Sequence, residues 1–308
     1  MTSRHTILSI LQSADAVISG ETLSARLGIS RVSVWKHIQG LIQQGVPIVA
    51  TSKGYRLADD PDTLMPWAFG DLSECIHYFP ETPSTMDEAM RLARSGCPEF
   101  TTAVAQRQVE GRGRMRRAWA SDEGGLYFTV VIRPEIPIVL AGLVNLAAAV
   151  EMAALLRDTY GVAALPKWPN DVLVDEKKIC GILSQMEVEG DQVGHINIGV
   201  GLNVNNRPEN HTPTAVSLKT LMGAPVPRRD ILLGFLARLK NQTHGFDPDA
   251  VISAWKKENT TLGRKVRVVT LKETVEGLAV DLDDQGGLVL READGRLRTV
   301  IYGDCFQC

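Results

Sequence analysis

The chain has 308 residues, 44% of them hydrophobic, with 33 Lys and Arg against 36 Asp and Glu for a net charge of −3. That is room for two or three packed units of ordinary soluble composition, with a sizeable core. The five cysteines are odd in number and scattered, which argues against a disulfide framework; Cys305 and Cys308 form a C-x-x-C, but no second pair or His cluster lies nearby to complete a zinc site.

The charge is uneven. Residues 1–57 hold Arg4, Arg26, Arg31, Lys36, Lys53 and Arg56 against Asp15 and Glu21, a net +4 on a body that carries −7. A small basic module on an acidic body implies a polyanion partner for the N-terminus alone. "MTSRHTILSI" has too short an apolar run for a signal peptide, so a cytoplasmic protein is expected.

In chain order, Ile7, Ile10 and Leu11 mark a first helix. Leu23 and Leu27 mark a second, ending at Gly28, and Ser30 is the predicted N-cap of a third, "RVSVWKHIQGLI". In that third helix Val34, Trp35, Ile38, Leu41 and Ile42 form the expected buried stripe. Arg31, Ser33, Lys36 and His37 are left outward as in a recognition helix. Gly45 stops it, and two extended runs turn at Ser52-Lys53-Gly54. The order predicts a winged helix-turn-helix over residues 1–60 with Arg31, Ser33, Lys36, His37 and Lys53 facing DNA. "ADDPDTLMP", residues 58–66, reads as a linker.

From 67 to 260 the pattern mixes helix and strand. Thr85 with Glu88 reads as a capping box for a helix from Met86 to about Ser95, stopped by Gly96. "GLYFTVVI" is a strand. The apolar stretch Ile136 to Leu156 contains Pro137, Asn145 and Glu151, which predicts a buried helix rather than a membrane span. The segment from Asp171 to Val204 is a meander with turns at Asp175-Glu176 and Gly190-Asp191. Hairpins rather than crossovers mean a mixed, mainly antiparallel sheet in an α+β fold. Residues 262–308 alternate in short strands ("KVRVV", "VEGLAVDL", "GLVLRE", "RLRTVIY") and predict a small β-barrel.

"GRGRMRRAW", residues 111–119, starts like a dinucleotide-binding loop but has Arg116 where the last glycine belongs. Its glycines allow close backbone approach to a ligand, while Arg112, Arg114, Arg116 and Arg117 would repel each other without an anion to share. A polyphosphate clamp that orders on its ligand, a nucleic-acid loop and a solvated turn all remain open from the loop alone. "KWPND" at 167–171 and "KKICGIL" from 177 bring Asp171 and Lys178 onto neighbouring strands of one predicted hairpin. Together with the loop they fit attack by a carboxylate on the α-phosphate of ATP.

At this point the chain resembles the bifunctional biotin protein ligases that double as biotin operon repressors. The resemblance is carried by the winged helix-turn-helix, "PST" at 83–85, Gln108, "GRGR" at 111–114, Trp119, "KWPND", "KICGIL", "GVGLNV" at 199–204 and the C-terminal barrel. It spans essentially the whole chain. One departure is Arg116, where the family carries glycine.

The resemblance implies a class II synthetase-like catalytic domain, an SH3-like C-terminal barrel, and ATP, biotin and Mg²⁺ as ligands. It implies that Ser84, Thr85 and Gln108 bind the ureido ring and that Gly111 and Arg112 lie along the biotin tail. Arg112, Arg114, Arg116 and Arg117 hold phosphate, with Trp119, Asn170 and Asn203 beside the nucleotide. Lys178, Arg114 and Asp171 are then catalytic, with Asp171 also the metal ligand. The implied partners are the biotin carboxyl carrier protein, operator DNA and a second copy of the chain when adenylate is bound. Two other readings stay open: a lipoate or octanoate ligase, and a biotin-sensing repressor without catalysis.

Overall fold

A computed structural model describes residues 3–14, 16–43, 45–58, 62–190 and 192–308; the side chains of His5, Gln12, Arg116 and Glu189 are outside the description. Asp191 of the second predicted turn and residues 59–61 of the predicted linker therefore lie outside the described residues. The chain divides into two compact units, Met1–Glu74 and Cys75–Cys308.

The first unit comprises α1 (Ser3–Gln12), α2 (Gly20–Leu27), α3 (Arg31–Gln43) and the antiparallel hairpin β1 (Ile48–Thr51) and β2 (Gly54–Leu57). The Ser19 hydroxyl caps α2 by accepting from Thr22 N, and left-handed Gly28 ends it. Ser30 caps α3 through Ser33 N at 3.1 Å, as its sequence predicts. Ile7, Leu11, Leu23, Val34, Ile38 and Leu41 close the core, and Trp67 of the 3-10 segment Pro66–Leu72 packs on it.

The predicted stripe on α3 is too wide. Val34, Ile38 and Leu41 are buried, but Trp35 is 53% exposed and Ile42 is exposed too. Trp35 lies about 100° around the helix from Val34. Two small neighbouring helices cover one narrow face of α3, so a residue at that angle falls outside the contact.

In the second unit β3 (Ile76–Thr82), α4 (Thr85–Arg94) and β4 (Thr102–Gln108) make a crossover, and β3 and β4 are the parallel pair. Then come β5 (Leu126–Ile132), α5 (Ala141–Tyr160), β6 (Leu165–Lys167), β7 (Asp171–Val174), β8 (Lys177–Glu189) and β9 (Gln192–Leu202). They form a seven-stranded sheet ordered β3-β4-β5-β9-β8-β7-β6, antiparallel apart from that first pair. Asp175 and Glu176 turn β7 into β8 with both φ angles positive.

Every residue of β5 is buried, because both faces of the sheet are covered. Val131 packs with Ala89 and Leu92 of α4, while Phe128 meets Phe235 of α7 (Arg228–Thr243) edge to face on the other side, after the short α6 (Leu218–Met222). The segment Ile138–Tyr160 has the length and hydropathy of a membrane span. Here α5 packs on β6, β7, β8, α7 and α8 (Pro248–Lys257), burying Leu143, Leu146, Met152 and Leu156.

The start of α4 corrects the predicted capping box. Ser84, not Thr85, is the N-cap, accepting from Met86 N. Thr85 is drawn away because its amide and hydroxyl both donate to Gln108 Oε1, and Glu88 accepts from Thr82 instead.

The C-terminal strands β10 (Lys265–Val269), β11 (Thr274–Leu282), β12 (Leu288–Arg291), β13 (Leu297–Val300) and β14 (Asp304–Gln307) form an antiparallel sheet ordered β13-β12-β11-β10-β14. Its apolar face, with Val266, Val268, Leu288 and Leu290, packs on Trp168, Trp255 and the start of α5. β14 is a strand that sequence patterning missed: only four residues long, it is defined by its ladder to β10, with Val268 opposite Cys305.

Candidate active site

Three neighbouring strands carry the floor of one cleft. Gly201 on β9 pairs with Gly181 on β8, and Gly181 pairs with Asp171 on β7. The indole of Trp119 crosses the two glycines. A Cβ on Gly181 would sit 2.8 Å from Trp119 Cζ3, and one on Gly201 would sit 2.5 Å from Cε2 and Nε1. Only glycine lets the ring lie this close to the sheet. The Trp119 indole nitrogen is buried without a hydrogen-bond partner among the described residues, a donor available to an acceptor in the cleft.

Lys178 and Asp171 meet as expected: Nζ lies 2.7 Å from Asp171 Oδ1 and 5.1 Å from the centre of the Trp119 ring. A register shift between Val172 and Leu173 accompanies the meeting, setting Lys178 opposite Leu173 although Asp171 lies opposite Gly181. A cation between a carboxylate and an aromatic face is held by charge and by the ring quadrupole together.

The arginine-glycine loop folds back on itself, with Gly113 N donating to Arg117 O and Trp119 N to Gly111 O. The chain itself supplies anions to two of the loop's cations. Arg112 makes a two-pronged pair with Asp87 of α4 at 2.8 and 2.7 Å, and Arg117 pairs with Asp304 of β14. Arg114 donates to Asn170 Oδ1 at 3.3 Å. Burial holds its guanidinium below the ordinary value, opposed by the carboxylates of Asp304 and Asp171. The Arg112–Asp87 pair is half exposed, and pairs of that kind contribute about 0.2–1 kcal/mol, so a phosphate could replace the carboxylate at small cost.

At the other end of the cleft the polar groups form a closed chain. Gln108 Oε1 accepts from Thr85 N and Oγ1 at 2.8 and 3.1 Å, its Nε2 donates to Ser121 Oγ at 2.9 Å, and Thr85 Oγ1 lies 2.9 Å from Thr129 Oγ1. These bonds fix which way the Gln108 amide points. An amide nitrogen has two donors, so one Gln108 N–H remains to be given. That pattern suits a small ring with a carbonyl and N–H groups, such as a cyclic urea.

The cleft thus gathers Ser84, Thr85, Gln108, Arg112, Arg114, Arg117, Trp119, Asn170, Asp171 and Lys178 around a cavity of about 160 Å³ that opens to the surface. Two expected residues are not among its lining. Gly111 lies outside, its Cα backed by Ser121 and Gln108. Asn203 is buried in a turn, its Oδ1 accepting from Asn206 Nδ2 and its backbone N–H donating to Ile179 O. The Arg116 side chain is outside the described residues.

Asp304, Thr129, Gly181 and Gly201 line the cleft without having been singled out from the sequence. The glycines were inside quoted motifs, whereas nothing local to Asp304 signals a partner at Arg117.

Asp171 was also the expected metal ligand. Among the described residues no group of three or more His, Cys, Asp or Glu could hold a metal, and Asp171 Oδ1 already receives Lys178. These residues do not fit a resident metal ion held by protein alone.

In the N-terminal unit, Arg31 and Lys53 line a second cleft between α3, the start of α2 and the hairpin, together with Val32 and Trp35. Lys36 is exposed beside it. Ser33 and His37 are half-buried, and the Ser33 hydroxyl is engaged with Ser30 at 2.9 Å.

Family models match in three consecutive stretches: an HTH domain over residues 3–56, the biotin/lipoate A/B protein ligase family over 78–203, and a biotin protein ligase C-terminal domain over 261–306. The chain is 36% identical over 301 residues to the bifunctional ligase/repressor BirA of Bacillus subtilis, covering 92% of each chain. It is 32% identical to the biotin--[acetyl-CoA-carboxylase] ligase of Paracoccus denitrificans, over 70% of this chain and 93% of that one. Among solved structures, the biotin protein ligase of Aquifex aeolicus in complex with biotin and ATP aligns with a TM-score of 0.64 at 28% identity, covering 76% of this chain and 98% of that one. With identity of this order running through almost the full length of a relative, the chain belongs to the family of bifunctional biotin ligase/repressors.

Proposed function

We propose that the chain joins biotin to ATP as biotinyl-5′-AMP, transfers the biotinyl group to a lysine of the biotin carboxyl carrier protein, and represses biotin genes when it carries the adenylate. The observation that supports this most is the convergence in one cleft of the Lys178–Asp171 pair, the arginine loop and the Ser84–Thr85–Gln108 pocket.

In the first half-reaction a carboxylate oxygen of biotin forms a bond to the α-phosphorus of ATP, and the bond to the β-phosphate oxygen breaks to release pyrophosphate. Lys178 balances charge on the carboxylate and then on the mixed anhydride, Arg114 stabilises the five-coordinate phosphorus, and Asp171 keeps Lys178 in position. Arg112, Arg116 and Arg117 hold phosphate oxygens, with Trp119 and Asn170 beside the nucleotide. Mg²⁺ arrives with the ATP phosphates as part of the substrate, and Asp171 supplies at most one ligand to it. In the second half-reaction the carrier lysine amine attacks the acyl carbon, AMP leaves, and the released proton passes to solvent.

Ser84, Thr85 and Gln108 bind the ureido ring, the remaining Gln108 N–H donating to its carbonyl. We assign these roles to a class II synthetase-like domain over residues 67–260, an SH3-like barrel over 262–308 and a DNA-binding domain over 1–60, in a cytoplasmic protein. Adenylate binding favours a homodimer whose paired N-terminal units meet a two-fold operator.

The test is direct: incubation with ATP, biotin and apo carrier protein should yield biotinyl-5′-AMP and a biotinylated carrier by mass spectrometry. Modification with lipoate and none with biotin would overturn the assignment of the acid.

A further inference from the structure

At the start of α3 the N-terminal unit exposes Val32 and Trp35 where a charged surface is expected. Val32 is 64% exposed and Trp35 53%, one helical turn apart at the start of α3. Their cleft also presents Arg31 and Lys53 as cations and Glu21 as its carboxylate, and encloses about 420 Å³. Other large apolar side chains are exposed too, but here a tryptophan and a valine share one cleft with two cations, a surface that suits a partner with both apolar and anionic groups.

The charge selects the occupant. Arg31 and Lys53 on either side suit a polyanion, and the first turns of the second helix in a helix-turn-helix are the part that meets base edges. In the major groove the one apolar group on a base edge is the C5-methyl of thymine.

We infer that Val32 and Trp35 are specificity-determining residues that read thymine methyl groups in duplex DNA, while Arg31 and Lys53 hold the flanking phosphates. This rests on the DNA-binding reading above and adds how sequence is discriminated. The hydrogen-bonding residues expected for that task contribute less, because the Ser33 hydroxyl is already engaged with Ser30 and His37 is half-buried.

The experiment starts from a randomised 40-base-pair duplex library, enriched on the full-length protein with biotin and ATP. The tightest duplex is then made with deoxyuridine replacing each thymine in turn, which removes one methyl and changes no hydrogen bond. Binding of wild type, Val32→Ala and Trp35→Ala is measured at fixed salt.

For the wild type a loss of about fourfold is expected at one or more thymines, the value of one buried methyl group. Trp35→Ala or Val32→Ala should bind thymine and deoxyuridine duplexes equally at those positions. Equal sensitivity in all three proteins, or none in the wild type, overturns the inference while leaving DNA binding intact. Failure to enrich any duplex overturns the DNA-binding reading and the inference with it. Sedimentation without DNA covers the other occupant: a dimer lost on Trp35→Ala would assign the face to a second copy of the chain and overturn the inference. Val32 is the more exposed of the two and is not part of the core cluster, so its variant keeps the test valid if Trp35→Ala melts at a lower temperature.

Discussion

In the cleft of the large sheet cations meet anions supplied by the chain: Lys178 on Asp171, Arg112 on Asp87, Arg117 on Asp304. On the recognition helix and hairpin of the N-terminal unit, Arg31, Lys36 and Lys53 stand at the surface in water. The difference follows from what each region is proposed to bind. A site that handles a small reactive acid gains from charges fixed in advance, because reorganising them during reaction is costly. A surface that meets duplex DNA gains from hydrated charges, because binding is driven by the release of counterions from phosphate.

Four measurements sharpen this contrast, and the largest effect falls on the prearranged cation. Lys178→Ala should lower the rate of adenylate formation by about 10²–10³-fold, read by single-turnover kinetics with saturating ATP. A rate within a few-fold of wild type would remove Lys178 from the chemistry.

The glycine floor comes next. Gly201→Ala pushes a methyl into the Trp119 indole, where the Cβ would be 2.5 Å from Cε2. Overpacking of this kind costs about 1–3 kcal/mol, which urea denaturation should register, together with a raised KM for biotin. An unchanged midpoint would mean that Trp119 does not rest on this floor in solution.

On the DNA face, Lys53→Ala should weaken binding evenly across sequences and flatten the plot of log affinity against log salt by about one unit. A loss confined to certain sequences would make Lys53 a base reader instead.

The smallest effect concerns β14, the strand that brings Asp304 to the loop. Burial pushes the Cys305 thiol up to about 11, which leaves about one thiolate in a thousand at pH 8. The shift is upward, so alkylation at Cys305 should rise tenfold per pH unit up to that value. Exposed Cys308 should label first at pH 8. Equal labelling of both would mean that β14 opens readily.

Much of the cleft was legible because its residues cluster in short motifs: Asn170 precedes β7, Asp171 opens it and Lys178 lies at the start of the next strand, β8. What escaped was what distance in the chain conceals. Asp304 reaches Arg117 only because β14 pairs with β10. The capping box is a local pattern and points to Thr85 as the cap, whereas its partner, Gln108, lies at the end of β4, 23 residues on. Periodicity places Trp35 in the core because it tells which residues share a helix face, not how wide a face the neighbours cover.

The central claim is that the cleft activates biotin as an acyl adenylate, and ATP–pyrophosphate exchange tests it most directly. With biotin as the acid the purified protein should exchange label between pyrophosphate and ATP, and with lipoate it should not. Exchange with lipoate alone, or with neither acid, would contradict the account.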